Sequence, residues 1–561
     1  MLWISTKTKM KKTPSLKSTI LVAGLAAVAA LLDPTSASAA FGVSNSGGFY
    51  TVDVGAHVVF KIRQSDGSMT SCKYNGVELN DQSKSSQIAS GLGSATVTAT
   101  TSGNFITIKC VSTDTGVVPT PLTHYYIAQN GFDNIYMATY VTSEPSVGEL
   151  RYIFRGQFNV LPNGPAPSNN NGNTGAIESS DVFGHSNGQT TSKYYGNEQA
   201  RNLTVKGATG TGVGVFTAFG NRESSSGGPF FRDIENQGDG SGSDQEIYNY
   251  MNSGHNQTEA YRVSNVLQGP YAFCFTSGGT PSVPDMSFIA NLGLTGYVNS
   301  AGRGRLVLNG IAGRDTTYTY TVGFANSTAQ YWVTASTSNG SCECFNMKPG
   351  TYTMTIYKGE LAVWTGNATI TAGNPTTFNT ITVTGDPSTT STIWRIGNWD
   401  GTPLEFMNGA NLATMHPSDI RMSHWAPSTF TVGSSQNSSF PAVQFRGTNT
   451  PTTIKFNLTS TQAAAAHTMK IGITGAYNNG RPSVVINGHA LSNPGASSQP
   501  NSRSFTIGTY RGNNTTFSWS IPSSDFVSGQ NTMTISPISG SSDLGPFLSA
   551  AFGYDCVELD N

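Results

Sequence analysis

Short β-branched or alternating runs, separated by Gly, Ser and Asn, recur along almost the whole chain, and that pattern leaves room for little except antiparallel sheets. Ala95-Thr-Val-Thr-Ala-Thr-Thr101, Phe105-Ile-Thr-Ile-Lys-Cys110 and Asn134-Ile-Tyr-Met-Ala-Thr-Tyr-Val-Thr142 are examples, each bounded by turn-forming residues. Long helical periodicity is nearly absent; the best candidate helix is Thr461–Lys470, with its four alanines. Charged residues make up only 11%, which together with abundant Gly, Ser, Thr and Asn suits an extracellular β protein.

Residues 1–39 are read apart from the rest. Lysines at 7, 9, 11, 12 and 17 precede an apolar run, Ser18–Leu32, which leads to Ala37-Ser38-Ala39. That order is expected of a cleaved signal peptide, and the run is shorter than the ~20 residues of a spanning helix. A secreted, extracellular product is therefore expected. Without this leader the chain has 26 Lys+Arg against 31 Asp+Glu, a formal charge of −5. Such a balance gives no footprint for nucleic acid or an anionic membrane, so any acidic partner must meet a local basic pocket. A monomer is expected.

Two Gly/Pro/Ser breaks, Ser277–Pro284 and Gly385–Thr390, divide the remainder. Residues 40–287 read as a large β-sandwich, 288–386 as a fibronectin-like sandwich, and 387–561 as a jelly roll of the kind used by sugar-binding modules or by structural caps. Of six cysteines, Cys72 and Cys110 are the preferred disulfide. Cys342 and Cys344 share one face of an extended segment, where a bridge would be strained, and Cys274 and Cys556 read as buried thiols. Sequons at Asn202, Asn326, Asn367, Asn437 and Asn457 fit glycosylation but also arise by chance in such a composition.

No Gly-X-Ser-X-Gly, His-Glu-X-X-His, P-loop or nucleotide-binding glycine fingerprint occurs in a suitable context, which disfavours esterase, zinc protease and nucleotide-dependent chemistry. A pair of hydrolytic carboxylates cannot be picked out by spacing. Reactive side chains are densest between Arg151 and His255. Arg151 and Arg155 share a strand face by the two-residue period, as do Tyr248 and Tyr250. Paired tyrosines in a sandwich are ordinarily packing residues, a lysine beside tyrosines such as Lys193 is ordinarily a solvated strand-edge charge, and Phe230 and Phe231 read as core.

The strings Ser224-Ser-Ser-Gly-Gly-Pro-Phe-Phe-Arg-Asp233, Tyr250-Met-Asn-Ser-Gly-His255 and Thr258-Glu-Ala-Tyr-Arg262 closely resemble the fungal-type rhamnogalacturonan lyases of polysaccharide lyase family 4. The resemblance continues through Ser143–Arg151, Gly302–Gly304, Met347–Met354, Met415–Asp419 and Asp555–Leu559, and so spans all three regions. It implies a catalytic super-sandwich, a fibronectin type III-like domain and a carbohydrate-binding-like jelly roll. It also implies cleavage of the α-1,4 rhamnose–galacturonic acid bond of rhamnogalacturonan I by β-elimination, leaving an unsaturated galacturonosyl end.

Such a reaction needs a base for the C5 proton, charge to offset the uronate, and a proton for the leaving oxygen. By the resemblance Lys193 is the proton abstractor and His255 the second catalytic residue, expected to act as acid and charge stabiliser. An ammonium with a reference pKa of ~10.4 cannot accept a proton, so cationic neighbours, expected to be Arg151 and Arg155, must ease its deprotonation. Arg151 is expected to hold a uronate, with Tyr248 and Tyr250 against the sugar. Asp239 and Asp244 lack the ligand order of a calcium loop, and no catalytic metal is expected. Asp400 and Asp555 are candidates for a structural calcium in the last domain, on its resemblance to sugar-binding jelly rolls. A sequon at Asn256, beside His255, is expected to be unoccupied. The competing readings are a non-catalytic pectin-binding protein and a hydrolase of the same polymer.

Overall fold

The computed structural model describes residues 40–239, 244–255, 259–495, 503–539 and 542–561. The expected leader and the Asn256 sequon lie outside the described residues. The described residues from 40 onward form one compact unit, and it is all-β with short helical turns, as the strand pattern predicts.

The N-terminal region is a layered sandwich. A five-stranded meander runs in chain order from Gly42–Ser46 to Val77–Glu78, and a four-stranded sheet places Leu150–Gln157 between Asp244–Asn252 and the short Gln87–Ile88. Opposite lies a seven-stranded sheet from Lys206–Gly210 across to Ala95–Ser102. Their inward side chains make one core: Phe60 and Ile62 from the meander, Tyr152, Phe154 and Ile247 from the four-stranded sheet, and Ile106, Ile108 and Phe273 from the seven-stranded one. Strict alternation permits this, because strand Phe105–Ser112 buries every second residue against the core.

The middle region packs Tyr320–Ala325, Gly350–Lys358 and their neighbours over a smaller sheet around Gly304–Leu308. Cys342 and Cys344 lie two apart on strand Cys342–Met347, both buried on one face. The last region is two facing five-stranded sheets, and its central strand Ala551–Asp560 is buried at every position. Thr461–Lys470 does not form the expected helix: only Ser460–Ala463 is helical, closed at its start by a capping box from Thr459 and Gln462, and strand His467–Tyr477 begins within the segment. Sheet pairing with two neighbouring strands overrides the local alanine preference there.

The expected Cys72–Cys110 bridge is not present. All six cysteines are free and buried. Cys72 packs in the meander, while Cys110 lies on the seven-stranded sheet against the turn at Gly67, where φ is +71° and a Cβ would come within 2.8 Å of the Cys110 sulfur. Burial raises both thiols well above their ordinary range, which leaves them inert packing groups. Cys274 and Cys556 are buried thiols, as read from the sequence.

A buried ion pair fastens the middle region to the break that follows it. Lys358 Nζ lies 3.2 and 2.9 Å from the two oxygens of Asp386 and 2.9 Å from Ser388 Oγ, and the paired side chains are 1% and 3% exposed. Removing one partner leaves an uncompensated buried charge. Asp386→Ala should therefore destabilise this region by about 3–5 kcal/mol, read by calorimetric unfolding, whereas a loss below about 1 kcal/mol would show that the pair is solvated.

Candidate active site

The outer face of the four-stranded sheet carries the site. On strand Leu150–Gln157, Tyr152 and Phe154 enter the core, which turns Arg151 and Arg155 to the opposite face. The antiparallel register then sets Tyr250 across from Arg151, Tyr248 across from Ile153 and Glu246 across from Arg155. The Arg151 guanidinium lies over the Tyr250 ring at 5.6 Å, and the Tyr248 and Tyr250 rings stack at 5.7 Å. Arg151 also lies against Glu149 and is 3.4 Å from Ser90 Oγ, while its buried Nε has no acceptor among the described residues.

A three-stranded hairpin unit, Gly175–Glu178, Val182–Gly184 and Thr190–Ser192, brings in the lysine. Its last strand ends in a tight turn, with Tyr195 N donating to Ser192 O at 2.9 Å and Asn197 donating to the Lys193 carbonyl at 3.0 Å. Lys193 Nζ lies 3.2 Å from Asp181 Oδ1 and 5.4 Å from the centre of the Tyr194 ring. Ile153, Val182, Tyr194, Tyr248, Tyr250 and Ile507 form a small apolar floor under these groups. Lys193 and His255 remain 28% and 27% exposed, enough for a ligand to reach both.

His255 is oriented from two sides. Asp233 Oδ1 lies 3.0 Å from Nδ1, and Nε2 lies 3.0 Å from the Tyr194 hydroxyl. Ser253 donates to the other Asp233 oxygen, and its own oxygen is 3.2 Å from His255 Nδ1. With Asp233 accepting from Nδ1–H, the neutral ring offers Nε2 as acceptor to the tyrosine. Burial, with the charges of Asp181 and Asp233, holds the Tyr194 phenol far above its ordinary value, so it remains a proton donor. Tyr194 thus stands between Lys193 and His255 and touches both.

Of the residues expected from the sequence, Lys193, His255, Arg151 and Tyr250 meet around Tyr194, with Tyr248 stacked beneath. Arg155 does not join them. It lies about 13 Å along the strand from Arg151, where it donates to Glu246 Oε1 at 3.0 Å and to the Ser85 carbonyl at 3.1 Å. Tyr248 likewise donates to Glu246. The expected role of Arg155 as a cationic neighbour of Lys193 is therefore corrected; that place belongs to Arg503, whose Nη2 is 2.8 Å from Asp181 Oδ2. Phe230 and Phe231 are buried, as read. Asp244 faces Asp239 in register and is paired with Lys84 Nζ at 2.5 Å.

Sequence reasoning missed Asp233, Tyr194, Asp181 and Arg503. Asp233 closes one of the recognised strings, and a histidine used in catalysis needs an orienting acceptor, so chemistry could have singled it out. Arg503 carries no such signal, because it follows Lys193 by more than 300 residues. It reaches the site because the last region docks there: Tyr195 donates to the Thr506 carbonyl, and its ring covers Gly508, whose φ of +80° and absent Cβ permit the approach.

Comparison with known proteins agrees with this architecture. Residues 41–296 match the family model "Rhamnogalacturonan lyase B, N-terminal", residues 302–378 match domain II of polysaccharide lyase family 4, and residues 392–559 match its domain III. Rhamnogalacturonate lyase A of Aspergillus aculeatus is 46% identical over 530 residues, covering 93% of this chain and 97% of that protein. A probable rhamnogalacturonate lyase A of Aspergillus fumigatus is 45% identical, covering 93% and 96%, and rhamnogalacturonate lyase A of Emericella nidulans is 44% identical over the same shares. With three consecutive domain matches and relatives of this identity along nearly its full length, the chain belongs to polysaccharide lyase family 4.

Proposed function

We propose that the protein is a secreted endolyase of rhamnogalacturonan I that cleaves the bond between rhamnose and O4 of galacturonic acid by β-elimination. The observation that carries this reading is the convergence of Lys193, His255 and Arg151 around Tyr194 and Tyr250 beside the outer face of one sheet, in a chain whose relatives are named for that substrate. Export is supported by the basic, apolar and small-residue order of residues 1–39, and a single chain, acting as a monomer, holds every group the reaction needs.

In the proposed reaction the uronate lies against Arg151, where it competes with Glu149 for a guanidinium whose buried Nε has no acceptor among the described residues. Lys193, as the free amine, takes the C5 proton. The electron pair left on C5 forms the C4–C5 double bond and expels the O4 substituent. His255, in its protonated form with Nδ1–H held by Asp233, gives the leaving oxygen its Nε2 proton and is left as the neutral ring, and exchange with solvent then returns a proton to His255 and takes one from Lys193. Cationic side chains offset the carboxylate charge, so we propose elimination that needs no metal.

A structural calcium is proposed separately, in the last region. Asp555 is fully buried; its Oδ1 accepts from Gly401 N at 2.7 Å and Asp400 N at 3.2 Å, while its Oδ2 has no partner among the described residues. Burial, then the charge of Asp400, pushes Asp555 well above the usual carboxylate range and Glu405 up to about 7. An orphaned carboxylate oxygen amid mutually repelling carboxylates suits a hard cation. No three ligating side chains converge among the described residues, so carbonyl or water oxygens would complete the set.

Three outcomes check these readings. On de-esterified rhamnogalacturonan with chelator present, the protein should generate ultraviolet absorbance from unsaturated uronate, and Lys193→Ala and His255→Ala should each reduce that rate by about 10²–10⁴-fold with folding intact; a near-native rate in either variant would remove that residue from the mechanism. Asp233→Asn should lower kcat strongly while leaving KM within about threefold, because it orients rather than binds; an unchanged kcat would refute that role. For the calcium, a carboxyl raised in the folded state costs stability as pH climbs from its unfolded value near 4.5 through about 7. Calcium should therefore raise the melting temperature more at pH 8 than at pH 5, and no calcium-dependent shift at either pH would eliminate the site.

A further inference from the structure

The hairpin that carries Lys193 is held by the last region as well as by its own sheet. Thr190 donates to Asp419 Oδ2 through its N–H at 2.6 Å and its hydroxyl at 2.8 Å. Arg503 reaches back to Glu178 at 2.5 Å and to Asp181 at 2.8 Å, and Glu178 also accepts from Thr506 Oγ1 at 3.0 Å and lies 3.2 Å from His416 Nε2. Asp181 is thus shared by two cations, with Oδ1 toward Lys193 at 3.2 Å and Oδ2 toward Arg503.

This sharing matters for chemistry. A carboxylate left wholly to Lys193 would hold it as an ammonium, which cannot abstract a proton. A guanidinium bound to the other oxygen withdraws that hold, and its bidentate reach across Glu178 and Asp181 fixes where the hairpin points. The charged groups facing this corner from the surrounding elements are Glu178 and Asp181 of the hairpin, Arg503 of the last region, Arg151 of the central strand, and the Asp233–His255 pair; His416 stands behind Glu178.

We propose that Arg503 is a positioning residue of the elimination: by occupying Asp181 it keeps the Lys193 amine available as base and aimed at the substrate. The docking of the C-terminal domain is thereby a requirement of turnover, separate from any sugar binding by that domain. The proposal rests on the reading of Lys193 as the base.

The test compares full-length Arg503→Gln, Arg503→Lys, Asp181→Asn, Lys193→Ala and the double variant R503Q/D181N, following unsaturated product on rhamnogalacturonan from neutral to alkaline pH together with the melting temperature. R503Q should lower kcat near pH 7 by about tenfold, change KM less than about twofold and move the rise of activity to higher pH, a shift of one pH unit being tenfold. R503K should keep most of the rate. Adding D181N to R503Q should recover most of the lost kcat, since the carboxylate that traps the lysine is then gone. If D181N deepens the loss, or if R503Q lowers activity equally at all pH values in step with its melting temperature, Arg503 is a structural fastening and the proposal fails while the base assignment stands. If K193A stays active, the base assignment itself fails and takes the proposal with it.

Discussion

The two-residue period of the strand pair Leu150–Gln157 and Asp244–Asn252 is the constraint on which the rest depends. One face must supply Tyr152, Phe154 and Ile247 to the core of the sandwich, and the other must carry Arg151, Tyr248 and Tyr250. Register cannot slip by a residue without sending a guanidinium inward and core aromatics outward. Packing energy from a large apolar core therefore fixes the position of groups that contribute nothing to that core, which is how a sandwich face of this kind holds reactive side chains in place.

Lys193 reaches this platform from the hairpin ending at Thr190–Ser192 and His255 from the turn just after strand Asp244–Asn252, and Tyr194 links them. Its ring faces Lys193 and its hydroxyl meets His255. Behind each reactive group stands a carboxylate: Asp181 behind the lysine, Asp233 behind the histidine. The two have opposite consequences. Asp233 fixes the tautomer and ring of His255, a supporting contact. Asp181 pairs with Lys193 through one oxygen, and the docked C-terminal domain sets Arg503 on the other, which the proposal requires if the lysine is to act as base. A domain that resembles a carbohydrate-binding module thus has a second physical connection to the site, through charge.

The fold class was legible because alternation and turn residues are local properties, and the strands around Phe105–Ser112 and Asn134–Val141 follow the pattern closely. The helix expected at Thr461–Lys470 was not, because cross-strand pairing decided its second half. Arg151 and Tyr250 share a face by arithmetic alone, whereas Lys193 and His255 could be chosen only by resemblance: nothing in Ser-Lys-Tyr-Tyr or Asn-Ser-Gly-His distinguishes a catalytic group from a surface one. Arg155 shows the limit of the face argument, since periodicity sets the face but Glu246, across the strand, sets the partner. The Cys72–Cys110 expectation failed for a related reason, as two cysteines flanking a hairpin region say little about which way each thiol packs.

Elimination and hydrolysis of the same bond differ by one molecule of water, and that difference tests the central claim most directly. A single defined rhamnogalacturonan oligosaccharide would be digested to completion with the full-length protein and the two fragments weighed by mass spectrometry. Lyase chemistry at Lys193 and His255 predicts that the fragment masses sum to that of the substrate, with the fragment bearing the new galacturonosyl end one water lighter than its saturated counterpart. Fragments that together exceed the substrate by one water would contradict the account and identify a hydrolase, and an intact substrate would leave the site a binding surface.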